Sequence, residues 1–190
     1  RQYKHHIPAS VDHIIQRSEF LTSYTPYQPE ISQGTLQYLY EFQTQVSLLT
    51  GMDISNASMY DGSTAAAEAV SMAKRITKRN EVILSNTIHP HYADVIKTIS
   101  GIKDGEFVYN RNFSIDIDYL FNEVSENTAC VVVQNPDFFG SCYDLSALAE
   151  FVQSKGALFI VVITEVLSLG MMKSPGAMGA DIVACEGQSL

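Results

Sequence analysis

Several short stretches carry side chains of the types that do chemistry, each beside the edge of a regular element. Asp61-Gly62-Ser63-Thr64 opens an alanine-rich run. A small-residue loop at a helix start presents free backbone N–H groups and the positive end of the helix dipole, which suits a phosphate. The Ser63 and Thr64 hydroxyls would add two donors. An ordinary N-cap by Asp61 or Ser63 explains the same pattern, and on local grounds it is the simpler reading. No GxGxxG or GxxxxGKS/T occurs, so a dinucleotide or nucleotide-phosphate loop has no motif behind it.

Thr87-Ile88-His89-Pro90-His91-Tyr92 sits at the turn after an apolar run, where an open parallel sheet binds its ligands. His89 is placed to stack on a planar ligand, and His91 or Tyr92 to hydrogen-bond a substrate. A polar turn ahead of a helix-starting proline is the plain alternative. His89 and His91 have no third ligand at matching spacing, so no metal site is assigned. Asn135-Pro136-Asp137-Phe138-Phe139-Gly140 is a rigid loop whose aromatic rings can wall a pocket or pin the loop to the core. Glu165 and Glu186 also follow apolar runs, as ligand-facing or simply solvated acids. His5, His6 and His13 read as surface or core histidines.

The elements that must position these groups alternate. Apolar residues at helical spacing predict helices over 10–21 and 32–50, the second with a possible Ser32 cap and Gly51 as its stop. Between them the 22–30 stretch holds Pro26 and Pro29, a stiff loop. A helix runs from the Asp61 loop to about Lys78, ending in Lys74, Arg75, Lys78 and Arg79, which suit the negative end of its dipole. Beyond it, strands are expected over 82–85, 105–109, 129–134, 157–163 and 181–184. Helices are expected over 90–100, 116–125 and 145–155. The strands are short, continuously apolar and rich in valine and isoleucine, the mark of strands covered on both faces. Strand–helix alternation of this kind predicts an α/β fold with a mostly parallel sheet. The 190 residues read as a single α/β unit, with helices and loop over 1–50 and a sheet-containing region over 51–190.

Composition excludes several classes. A net charge of −9 disfavours nucleic acid and anionic membranes as partners. No apolar run approaches the ~20 residues of a membrane helix. Cys130, Cys142 and Cys185 are widely spaced without a CxxC, which fits a reducing compartment, so a cytoplasmic location is expected. The chain begins at Arg1 and stops after an apolar run, and it is expected to be a piece of a longer polypeptide.

Tyr24-Thr-Pro-Tyr-Gln-Pro-Glu-Ile-Ser-Gln-Gly34, Asn56-Ala-Ser-Met-Tyr-Asp-Gly62, Asn135-Pro-Asp-Phe-Phe-Gly140 and Glu186-Gly-Gln-Ser-Leu190 together resemble the glycine cleavage system P-protein family. More narrowly they are similar to subunit 1 of its prokaryotic two-subunit form. The resemblance runs through essentially the whole chain, in order. It implies the large domain of a fold type I pyridoxal phosphate (PLP) dependent transferase-like enzyme, in an α2β2 assembly with a PLP-bearing subunit 2. The implied reaction is decarboxylation of glycine, with the aminomethyl group passed to the lipoyl arm of H-protein.

The resemblance also implies that PLP is held by the partner and not covalently by this chain. Counting on from Ala180-Asp181, the lysine position falls on Ser189, and the strand whose end would carry the pyridine-pairing aspartate ends here in Thr164-Glu165. Gly62, Ser63, Thr64 and His89 match cofactor-binding positions and are expected to be vestigial. No catalytic residue is assigned to this chain alone. Its expected contribution is the 24–30 loop, with Tyr24, Tyr27 and Glu30 reaching the partner's glycine pocket. Tyrosines in such a loop are also what plain interface packing would use. Two further readings stand beside this one: an independent fold type I enzyme with its lysine beyond residue 190, and a purely scaffolding subunit.

Overall fold

The computed structural model describes residues 4–21, 24–103, 105–109 and 117–189. Helix α1 (Ala9–Ile15) and helix α2 (Gln33–Thr50) precede a third helix, α3 (Gly62–Thr77). The sheet region follows in the order β1 (Glu81–Leu84), α4 (Pro90–Ile99), β2 (Phe107–Val108), α5 (Leu120–Glu123), β3 (Thr128–Gln134), α6 (Ser146–Ser154), β4 (Leu158–Ile163) and β5 (Ile182–Cys185). Two 3-10 turns, Val166–Gly170 and Gly176–Met178, lie between the last two strands.

The five strands among the described residues are parallel, in the order β2-β1-β3-β4-β5. The expected strands 82–85, 129–134 and 157–163 are therefore neighbours in one sheet. Their unbroken apolar runs have a simple cause. Val82, Leu84, Cys130, Val132, Ile160 and Val162 pack in one core with α3 and α4. Ile83, Val131, Val133, Phe159, Val161 and Ile163 point the other way, into a core with α6 and Leu120 of α5. Alternate residues face opposite layers, and both layers are covered, so the interior positions of the central strands are apolar and β3 has polar residues only at its ends, Thr128 and Gln134. Against the first face α3 presents Ala66, Ala67, Ala69 and Ala73, small residues that let the helix lie close.

Three expected elements come out shorter. The 10–21 helix ends at Ile15, and none of its residues is buried. Seven residues without an apolar surface to pack on are too few to propagate a helix far. The 105–109 strand keeps two residues at the sheet edge, where only β1 pairs with it. The 116–125 helix is Leu120–Glu123, and its start at Asp116 falls outside the described residues. Ser32 occupies the N-cap of α2 without a side-chain bond, whereas Gly51 closes it in the left-handed conformation, φ +71°.

Candidate functional site

The strand order places a topological switch between β1 and β3, since the chain leaves β1 toward β2 and returns to the other side of β1 at β3. In an open α/β sheet the crevice beyond the carboxyl ends of such strands is where ligands bind. The Thr87–Tyr92 and Asn135–Gly140 stretches both stand there, stitched to each other. The Phe138 N–H donates to the Thr87 carbonyl at 2.8 Å, and the His89 N–H donates to Gln134 Oε1 at 2.8 Å. Gln134 is buried and also donates to the Pro136 carbonyl and the Thr164 hydroxyl. Within the loop, the Asp137 carboxylate accepts from the N–H groups of Phe139 and Ser141 and from the Tyr143 hydroxyl, so the loop's shape is set by its own acid.

His89 meets Phe138 edge-on, with ring centroids 5.0 Å apart. Burial, with the neighbouring His91, pushes its pKa below the usual histidine value, so the ring is neutral at pH 7. Its Nδ1 accepts from the His91 N–H at 3.2 Å, as the cap of α4. No cluster of three or more metal-binding side chains occurs among the described residues.

The start of α3 is fully engaged. Asp61 is its cap, accepting from the Thr64 N–H at 2.9 Å and the Ser63 hydroxyl at 2.6 Å; these bonds, Ser63 first, hold its carboxyl below the usual range. The Thr64 hydroxyl donates to the Asp61 carbonyl. The two hydroxyls expected as phosphate donors thus serve the cap. The Gly62 N–H donates to Glu186 Oε1 at 2.9 Å, and the Tyr92 hydroxyl donates to the same oxygen at 2.6 Å. A Cβ on Gly62 would run into both, lying 2.6 Å from Glu186 Oε1. Since each obstacle is a side-chain end, Gly62→Ala is expected to cost about 1–3 kcal/mol and no more. Thermal unfolding of the full-length chain checks this, and an unchanged midpoint would mean that the close approach is not real.

On the far side of the sheet end, Glu165 accepts from the Leu167 N–H, capping its 3-10 turn, and pairs with His5 at 2.8 Å. Burial opposes its charge, but the His5, Leu167 and Ser189 contacts outweigh it and hold the pKa below the ordinary glutamate value. His5, read from the sequence as structurally ordinary, thus ties the amino-terminal segment to the end of β4. Ser189 is buried beside Glu165, and its hydroxyl makes no hydrogen bond of good geometry to the described residues.

Tyr24, Tyr27 and Glu30 stand elsewhere. Tyr24 is 95% and Tyr27 74% exposed, and Tyr27 with Phe20, Ile31 and Tyr38 lines a cavity of about 720 Å³ against α2. A second cavity of about 630 Å³, lined by Tyr60, Asp61, Arg75 and Glu186 among others, opens beside the start of α3. The two cavities share no lining residue.

This sheet, with helices on both faces and a switch in strand order between β1 and β3, is that of the fold type I PLP-dependent enzymes. An aromatic amino acid aminotransferase superposes with a TM-score of 0.63 at 12% identity, over 93% of this chain and 48% of that one. Cystathionine gamma-lyase from Lactobacillus plantarum superposes with 0.55 at 15% identity, over 74% and 35%. The chain belongs to the glycine cleavage system P-protein family, whose model matches residues 1–190. The probable glycine dehydrogenase (decarboxylating) subunit 1 of Methylocella silvestris is 62% identical over 99% of this chain, and that of Maricaulis maris 56%. A crystal structure of glycine decarboxylase (P-protein) of the glycine cleavage system, in inhibitor-bound form, is 44% identical with a TM-score of 0.86, over 98% of this chain and 42% of that one. The chain spans 42% of the length of the curated relatives it matches.

The residues at the start of α3 do not fit the phosphate of PLP. The Gly62 N–H and the two hydroxyls already have acceptors, and two of these acceptors, the carboxylates of Asp61 and Glu186, would repel a phosphate brought to the same donors.

Proposed function

We propose that this chain is part of the P-protein subunit that holds no PLP and completes the active site of a PLP-bearing partner. In that assembly glycine is decarboxylated, and its aminomethyl group passes to the lipoyl arm of H-protein. Family membership and the relatives' designation as subunit 1 support the setting. The observation that carries the division of labour is the carboxylate-filled start of α3. Two features agree with it: Ser189 stands at the resemblance's lysine position, and the strand end where the resemblance puts the pyridine-pairing aspartate reads Thr164-Glu165, without an aspartate. The full-length chain, purified alone, should show no visible absorbance of lysine-bound PLP. A borohydride-trapped PLP adduct on it would refute the reading and favour an independent enzyme.

The contribution to the partner is assigned to the 24–30 loop. Its two prolines restrict its shape before docking, so little ordering entropy is lost on assembly. Its tyrosines are exposed where an interior residue would not be. Tyr24→Phe and Tyr27→Phe remove only a hydroxyl each and should lower the catalytic efficiency of glycine–bicarbonate exchange about two- to tenfold. Glu30→Gln should do more, because charge-assisted bonds are about twice as strong as neutral ones. The assay uses reconstituted complex with H-protein, and sedimentation reports assembly. Full activity in all three variants would make the subunit a scaffold, and loss of assembly would make the loop interface packing.

A further inference from the structure

The anion held at the start of α3 comes from 124 residues away in the same chain. Glu186 follows β5 directly, and its Oε1 is gripped from two helices: by the Gly62 N–H in the first turn of α3 and by the Tyr92 hydroxyl in the first turn of α4. Tyr92 is 92% buried, so its hydroxyl is a positioned donor and not a surface group that happens to reach. Glycine at residue 62 allows the approach undisturbed, since a side chain there would crowd both Tyr92 and Glu186. These features make a seat: a helix dipole, a backbone donor without a Cβ in the way, and a buried phenol converging on one oxygen. A cavity borders it, so the seat is reachable from outside.

We propose that Glu186 is an internal plug in a phosphate seat. It closes this chain to phosphate monoesters such as PLP by occupying the donors they would use, and so directs the cofactor to the partner subunit. This deepens the functional reading above, on which the equivalence of the seat with a cofactor position rests. Serine at position 189 in place of a lysine would prevent a covalent bond only; a plug also prevents non-covalent loading, which would otherwise withdraw cofactor from the partner. Asp61 adds to the exclusion, because it remains ionised beside the seat.

The test uses the full-length chain as wild type, Glu186→Gln, Glu186→Ala and Glu186→Ala/Asp61→Asn. Each is titrated with inorganic phosphate against chloride at matched ionic strength, with the thermal midpoint as readout. Wild type and Glu186→Gln should not respond specifically to phosphate, since an acceptor oxygen of the same size still fills the seat. Glu186→Ala should have a lower midpoint in chloride and recover much of it in phosphate. With a Kd of about 2 mM, ~20 mM phosphate multiplies the folding constant about elevenfold. Asp61→Asn in that background removes a like charge and should tighten binding further. PLP should compete for the opened seat, whereas pyridoxal, which lacks the phosphate, should not.

An equal phosphate response in wild type would show that Glu186 does not fill the seat. A folded Glu186→Ala chain indifferent to phosphate would show that no seat exists. Glu186→Ser is the smaller perturbation should the alanine variant not fold; if neither folds at any phosphate concentration while Glu186→Gln does, the side chain is a strut and the proposal fails. These outcomes differ from the trapped adduct on wild-type chain that would overturn the functional reading itself.

Discussion

Phe159→Ala is expected to destabilise the chain by about 3–5 kcal/mol, the range for emptying a fully buried aromatic site. Phe159 has no exposure and sits in the middle of the sheet, paired with Val131 across β3 and β4. Its ring belongs to the core shared with Leu148, Val152 and Met178. Its backbone bonds, N–H to Asp181 Oδ2 at 2.7 Å and carbonyl from the Asp181 N–H at 2.9 Å, do not depend on the side chain. The loss is therefore one of packing alone. The layers of a parallel sheet cannot close over a ring-sized void without breaking strand pairing, so relaxation should recover little. Phe159→Leu, which refills most of the volume, should cost well under half as much. Thermal unfolding of the full-length chain measures both, and an alanine midpoint lowered by less than about 2 °C would contradict the layered core.

The layered core was readable because its signal is local. Val131-Val132-Val133 and Phe159 to Ile163 are apolar at every position, which only a sheet covered on both faces requires. The helices α3, α4 and α6 were readable for the same reason, each with one apolar face and a clear start or stop. What was not readable depends on meetings across the chain. Glu165 and Glu186 stood out as acids after strands, yet their partners are 160 and 124 residues distant, and nothing in the local pattern of His5 or Gly62 names them. The Asp61 loop shows the same limit in reverse: a cap and a phosphate site use one local pattern, and only the arrival of Glu186 distinguishes them. Helix α1 misled by its periodicity, since an apolar stripe describes what a helix could bury and not whether a surface is there to receive it.

Gly176→Ala should have an effect of similar size for a different reason, and should carry it to the 24–30 loop. Gly176 begins a 3-10 turn against which the end of α2 is pressed. A Cβ there would overlap the Gly51 carbonyl and lie 3.1 Å from the Gly51 Cα. Both sides of the contact are backbone, so no rotamer change can relieve it, unlike at Gly62. Gly51 is itself held, with φ +71° and its Cα facing Ser174 and the Ala177 N–H. The only buried residue of α2 is Thr50, next to this contact, so the paired glycines are where the helix fastens to the sheet region. Forcing them apart is expected to cost about 3 kcal/mol or more, the upper end for overpacking. Because α2 follows directly on the 24–30 loop, displacing it should also lower glycine–bicarbonate exchange in the reconstituted complex by more than any single side-chain change in the loop. Gly34→Ala is the control on the same helix. A Cβ there meets nothing within 4 Å, and alanine is the better helix former, so stability should hold or rise by about 0.5–1 kcal/mol. Equal midpoints for the Gly34 and Gly176 variants would mean that α2 is not anchored at its glycine end, and the loop would then need another support.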